Sequence, residues 1–184
     1  MDQPFSQAFE VDDAVVVLLG SPTNVGSLDG EIKGITRLEK LMFLLEKNSQ
    51  IARYLDEPLE FKSFNYGPFS EKIYQAIDML AAAGLVSDSA QASQSTEDMW
   101  ESQEVIGDNE NRESYITRDI KLTERGKRYY QALAKELPEE VLSEVSEIKL
   151  KYGVLPLRKL VRYVYQTFPN YTDKSVIRDE ILSG

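Results

Sequence analysis

FNYGPFSEKIYQAIDMLAAAGLV, residues 64–86, is the stretch on which the reading of this 184-residue chain turns. Its first third is aromatic and punctuated. Gly67 frees the backbone, Pro68 fixes φ, and Tyr66 and Phe69 flank them, so Tyr66-Gly67-Pro68-Phe69 reads as a rigid turn clamping the adjoining helix. From Ser70 the pattern changes period. Ile73, Ala76, Ile77 and Leu80 recur at three- and four-residue intervals, which predicts a helix with one buried face, and Gly84 fits its C-terminal cap. Leu85-Val86 then opens an extended segment.

Working outward from this stretch, ITRLEKLMFLLEKNSQIARYL upstream predicts a helix central to the core. Thr36 is its N-cap, Glu39 stands at capping-box spacing, and Leu38, Leu41, Met42, Leu45, Ala52 and Leu55 form its apolar stripe. LEFKSFNY, between the two helices, alternates like a short extended piece broken at Gly67-Pro68. Nearer the start, Val11 to Leu19 predicts a short apolar helix capped by Asp12 or Asp13, followed by a Gly/Asn/Ser-rich connection to about Gly34. Downstream, SYITRDIKL pairs with Leu85-Val86 as the second arm of a hairpin. Thr123 opens a helix that ends at Pro138, and Pro138 starts the next. Pro156 to Phe168 predicts a further helix with Leu157, Leu160, Val161, Val164 and Phe168 inward, and a short last helix from about Asp173 comes after it. The element order is that of a winged helix-turn-helix: mainly α with a small β-hairpin and a carboxy-terminal helical extension. Three segments result: an amino-terminal arm and first helix (1–33), a winged-helix core (34–135) with an acidic wing insertion (87–114), and the extension (136–184).

Three phrases carry a family resemblance: TRLEKLMFLLEK, FNYGPFSEKIYQAIDMLAAAGLV and IKLTERGKRYY. The second resembles the Tyr-Gly-Pro-x-Ser, helix, Gly-Leu-Val pattern of the Panacea (SocA-like antitoxin) group and related small prokaryotic winged-helix proteins. In the third, Leu122-Thr123-Glu124-Arg125-Gly126 is similar to the Leu-Thr-x-x-Gly that comes after the wing in many winged-helix regulators. LRKLVRYVYQTFPNYTDKS adds a similar tail phrase. The resemblance spans about 34 to 175 and implies a winged helix and a regulatory or antitoxin-like role.

Composition bounds the chemistry. There is no Cys and no His, which removes thiolate and imidazole catalysis and the usual zinc and copper ligands. No Gly-rich phosphate loop, dinucleotide fingerprint or paired catalytic carboxylates stand at the required spacing, so the expectation is a non-enzymatic protein without a cofactor. MDQPFSQAFEVDD lacks the basic region and apolar core of a secretory signal, and Ala14 to Leu19 is too short to cross a bilayer; the expected setting is cytoplasmic, with no membrane partner.

The net charge of −10 is unevenly spread. Residues 1–33 carry −5, 87–114 carry −7, and 115–135 carry +4. The leading expectation is a regulator that binds double-stranded DNA as a dimer through its carboxy-terminal helices. Ser70, Lys72, Tyr74 and Gln75 approach the bases, and Arg118, Lys121, Arg125, Lys127 and Arg128 contact phosphates. The solvent face of the candidate recognition helix also carries Glu71 and Asp78, which opposes DNA. The alternative is an antitoxin-like or adaptor module whose acidic loop engages a basic protein partner, with Trp100, Val105 and Ile106 as apolar anchors. Arg158, Lys159 and Arg162 form a second basic stripe read as solvated surface. Tyr152, Tyr163, Tyr165, Phe168 and Tyr171 read as core aromatics.

Overall fold

The computed structural model describes residues 8–89 and 118–184. These form a mainly helical protein with a small antiparallel sheet. In chain order the elements are α1 (Val11–Gly20), β1 (Glu31–Lys33), α2 (Ile35–Asn48), β2 (Lys62–Phe64), β3 (Gly67–Phe69), α3 (Glu71–Ala82), β4 (Val86–Asp88), β5 (Asp119–Leu122), α4 (Glu124–Glu136), α5 (Glu139–Gly153), α6 (Leu157–Thr167) and α7 (Arg178–Ser183).

α1 is apolar on every side because it is enclosed on every side. Val15, Val16, Val17, Leu18 and Leu19 are fully buried, and the helix packs against α3, α4 and α5. Its first turn is closed by a capping box between Glu10 and Asp13, so the N-cap is Glu10 rather than Asp12 or Asp13. At the other end the Lys149 ammonium, itself fully buried, donates to the carbonyls of Leu19 (2.7 Å) and Ser21 (2.9 Å). A cation at a helix C-terminus answers both the helix dipole and the orphan carbonyls. The buried cluster takes residues from all three sequence segments, 1–33, 34–135 and 136–184, so they share one core.

β5 is the centre of a three-stranded sheet with the order β1-β5-β4, Ile32 facing Ile120 and Val86 facing Leu122. β1 corrects the reading of residues up to Gly34 as a plain connection. Three residues are too few to show a period, and the strand exists because β5 offers it an edge. Gly34, at φ 95°, turns the chain from β1 into α2, and its N–H donates to Asp119 (3.1 Å). The helix therefore starts at Ile35 with Gly34 as cap, and Thr36 is a buried residue of its first turn. α2 ends at Asn48, seven residues short of Leu55. Ser49 caps the last turn by donating to the Leu45 carbonyl, and a 3₁₀ turn, Ile51–Tyr54, continues the chain.

Gly67-Pro68 does not end the extended segment but forms the second strand of a two-stranded hairpin, with Lys62 opposite Phe69 and Phe64 opposite Gly67. Gly67, at φ 88°, comes directly after the two-residue turn and holds the left-handed backbone that favours glycine. The end of α3 agrees with expectation. Gly84 (φ 74°) donates to the Ala81 carbonyl and Leu85 to Leu80, the two bonds of a Schellman motif. Thr123 caps α4, accepting from Gly126 N–H (3.1 Å).

α6 buries Leu157, Leu160, Val161 and Val164 within the chain, the face its spacing turned inward. α7 completes that packing through Ile177 and Ile181, and it begins at Arg178 instead of about Asp173. Arg158 and Arg162, read as solvated surface, donate to the Glu180 (3.2 Å) and Ile181 (2.8 Å) carbonyls and so cap the C-terminal end of α7.

Candidate functional site

The residues expected to meet a partner gather around α3 and the neck of the β4–β5 hairpin. Two of the resembling phrases clasp each other beneath this surface. The Ser70 N–H donates to the buried carboxylate of Glu39 (3.1 Å), and the buried Lys40 ammonium donates to the Pro68 carbonyl (3.0 Å). The Ser70 hydroxyl donates to the Leu59 carbonyl. Ser70 is thus fully buried, which corrects its placement on the solvent face of the helix: its chemistry is spent on joining α2, the hairpin and α3. Gly67 lies against the Tyr165 ring, where a Cβ would come within 2.6 Å of a ring carbon.

Arg118 sits at the neck. Its guanidinium meets Asp88 through both oxygens (Nη2 to Oδ2 2.8 Å; Nε to Oδ1 3.2 Å), reaches Asp78 on α3 at 3.3 Å, and lies 5.4 Å from the Tyr74 ring centre. The Asp88 side chain is fully buried, whereas that of Asp78 is mostly exposed. Burial opposes the charge on Arg118, but hydrogen bonding and attraction to Asp88 outweigh it and hold the guanidinium above its usual range. Arg118 is therefore a bridge tying the sheet to α3, fixed by a forked geometry that Lys cannot reproduce.

Lys72 is similarly engaged. It pairs with Glu57 (2.8 Å) and Glu60 (3.1 Å) and donates to the Pro58 carbonyl (3.0 Å). Arg125 donates to the Ala83 carbonyl (3.0 Å) at the end of α3, and Lys127 pairs with Glu124 (2.8 Å). Lys121 stands exposed on β5 opposite Glu31, and Arg128 is exposed on α4. Gln75 is exposed and Tyr74 half-buried. What α3 shows to solvent is Glu71, Gln75, Asp78, Met79 and Ala82, with Met79 63% exposed. Trp100, Val105 and Ile106 lie outside the described residues.

An aromatic row adjoins this face. Phe64, 46% exposed, stands 5.0 Å from Phe69 between ring centres, and Phe69 stands 5.1 Å from Tyr74, whose other neighbour is Arg118. The row was hidden in the sequence because its members belong to β2, β3, α3 and the residue just before β5. Their alternation marked a strand but gave no sign of which rings meet. The aromatics of the carboxy-terminal segment are structural, in agreement with their spacing. Phe168 and Tyr171 pack on Phe43, the Tyr152 hydroxyl donates to that of Tyr163 (3.0 Å), and Tyr165 and Ser175 hydroxyls lie 2.7 Å apart.

Among the described residues no group of three or more carboxylates is placed to hold a metal ion, and no helix is long and apolar enough to cross a membrane. No family model, curated protein or solved structure matches the chain.

Proposed function

We propose that the chain is a non-enzymatic, cytoplasmic winged-helix protein that acts by binding another protein through the exposed face of α3, an adaptor or antitoxin-like role. The fold part of the reading is supported by the order helix, strand, helix, helix, strand, strand, with β5 between β1 and β4 and with β2–β3 inserted before the third helix. The clasp of Glu39 with Ser70 and of Lys40 with Pro68 ties the phrase that resembles the Panacea pattern to the helix before it.

The observation that carries the functional part is the state of the cations beside α3. Arg118 and Lys72 are neutralised by carboxylates of the chain itself, and Arg125 is turned onto the end of α3. A duplex needs such cations free to displace counterions from its phosphates. The remaining solvent face, Glu71, Gln75, Asp78 and Met79 beside an aromatic row, matches a basic, partly apolar protein surface.

Two measurements decide the matter. Fluorescence anisotropy with mixed-sequence duplexes at low salt is expected to give no saturable binding at micromolar protein. Saturable binding that falls steeply with salt and disappears in Lys121→Glu/Arg128→Glu would overturn the proposal in favour of the DNA-binding regulator. Affinity purification of the tagged chain from its own host is expected to retain a protein with a basic surface, lost in Glu71→Lys/Met79→Lys with the thermal melt unchanged.

A further inference from the structure

A cavity of about 340 Å³ lies between the start of α1 and one face of α4, away from the α3 surface. That volume is in the range of small-molecule sites. Tyr129, Ala132, Leu133 and Glu136, at helical spacing i, i+3, i+4 and i+7, form one wall; Ala8, Phe9 and Asp13 form the other. Phe9 is fixed in place: its N–H donates to the Tyr54 carbonyl (2.9 Å), and its own carbonyl accepts from Asp56 N–H (2.9 Å).

The polar groups of this cleft share one sign. Asp13 accepts the Tyr129 hydroxyl through Oδ1 and the Glu10 N–H through Oδ2 (2.9 Å), leaving each oxygen a second lone pair. Glu136 stands at the far rim. Glu10, Asp12 and Asp56 add negative charge nearby: repulsion by Asp12 and Asp13, then desolvation and Asp56, hold the Glu10 carboxyl above the usual carboxylate range. The Tyr129 hydroxyl is pushed upward by burial and by Asp13, so it stays a neutral donor. The positive end of α1 is already met by its own capping box and offers nothing to an anion.

We propose that this cavity binds a small organic cation, an ammonium or amidinium group on a short apolar or aromatic body, with the charge at Asp13, in the field of Glu136 on the rim, and the body between Phe9, Leu133 and the Tyr129 ring. An aromatic wall beside carboxylates stabilises such a cation both through the ring face and through charge-assisted hydrogen bonds. The site uses none of the residues of the α3 surface, so its fate and that of the protein-binding proposal are independent.

Titration calorimetry on the full chain, with benzylammonium, benzyl alcohol and benzoate as matched probes at millimolar concentration, tests it. The expected result is saturable binding of benzylammonium, at least tenfold tighter than the alcohol, and none of benzoate. Ala132→Trp, which fills the cavity from an exposed position, is expected to abolish binding; Glu136→Gln, on the exposed rim, is expected to weaken it severalfold without moving the thermal melt. If Ala132→Trp does not fold, Glu136→Gln alone carries the test. Absence of saturable benzylammonium binding, equal affinity for amine and alcohol, or undiminished binding in Glu136→Gln would each overturn the inference.

Discussion

Gly126 shows what a single missing Cβ does here. It sits in the first turn of α4 directly against the Leu85 carbonyl, and a side-chain carbon at that position would overlap the carbonyl oxygen and press on Leu122 at 3.0 Å. The Thr123 hydroxyl, which caps this turn, also donates to the Gly84 carbonyl (2.7 Å), so the same few atoms end α3 and begin α4. Gly126→Ala is expected to lower stability by about 3 kcal/mol, as overpacking against rigid backbone does, read as a lower midpoint in urea denaturation. The sequence displayed the Leu-Thr-x-x-Gly phrase plainly but held no hint of Leu85, because the contact joins positions 41 residues apart, across the acidic segment.

Among the elements, the β4–β5 neck depends on a pair that looks like a recognition residue in the sequence. Arg118 opens a run of +4 charge and invites a role toward phosphates, yet its guanidinium faces the fully buried Asp88. Removing one partner of such a pair leaves a charge in a poorly solvated place. Arg118→Gln is expected to destabilise the fold by about 3 kcal/mol, and adding Asp88→Asn to restore part of the loss. Chemical denaturation of the two single variants and the double variant measures the coupling; additive losses would mean that the bridge does not hold the neck. The helices, by contrast, were legible almost throughout. Their apolar stripes come from neighbours three and four positions away, and caps such as Thr123, Pro138 and Gly84 act within a turn. β1 was not legible, since a three-residue strand has no period and owes its existence to an edge supplied by residues 119–121.

For the molecule as a whole, two buried titrations of opposite sign shape the pH dependence of stability. Burial brings the Lys149 ammonium down to about 8 from the ordinary 10.5, with Asp29 only partly opposing it. Between those values the unfolded chain holds a proton that the folded chain has released, so stability rises with pH there. The Tyr165 hydroxyl, raised by burial to about 12, works the other way: its contribution is intact below about pH 10 and is lost above it. Urea midpoints are therefore expected to climb between about pH 8 and 10 and then to fall. In Lys149→Met the climb should vanish while the fall remains; a Lys149→Met profile parallel to the native one would refute the assignment to Lys149.

The candidate surface divides in the same way as the fold. By itself the sequence determined the mainly helical class, the positions of most helices, the removal of thiol and imidazole chemistry, and the concentration of charge near the hairpin, because each comes from composition or from neighbours within one helical turn. The tertiary structure alone decided that Ser70 is inside, that Lys72 and Arg118 are neutralised by Glu57, Glu60, Asp78 and Asp88, that four aromatic and cationic side chains line up beside α3, and that a cleft opens between α1 and α4. Burial and charge pairing are properties of what lies across the fold. Whether a basic residue is a ligand or a brace depends on a carboxylate that the chain brings to it only on folding.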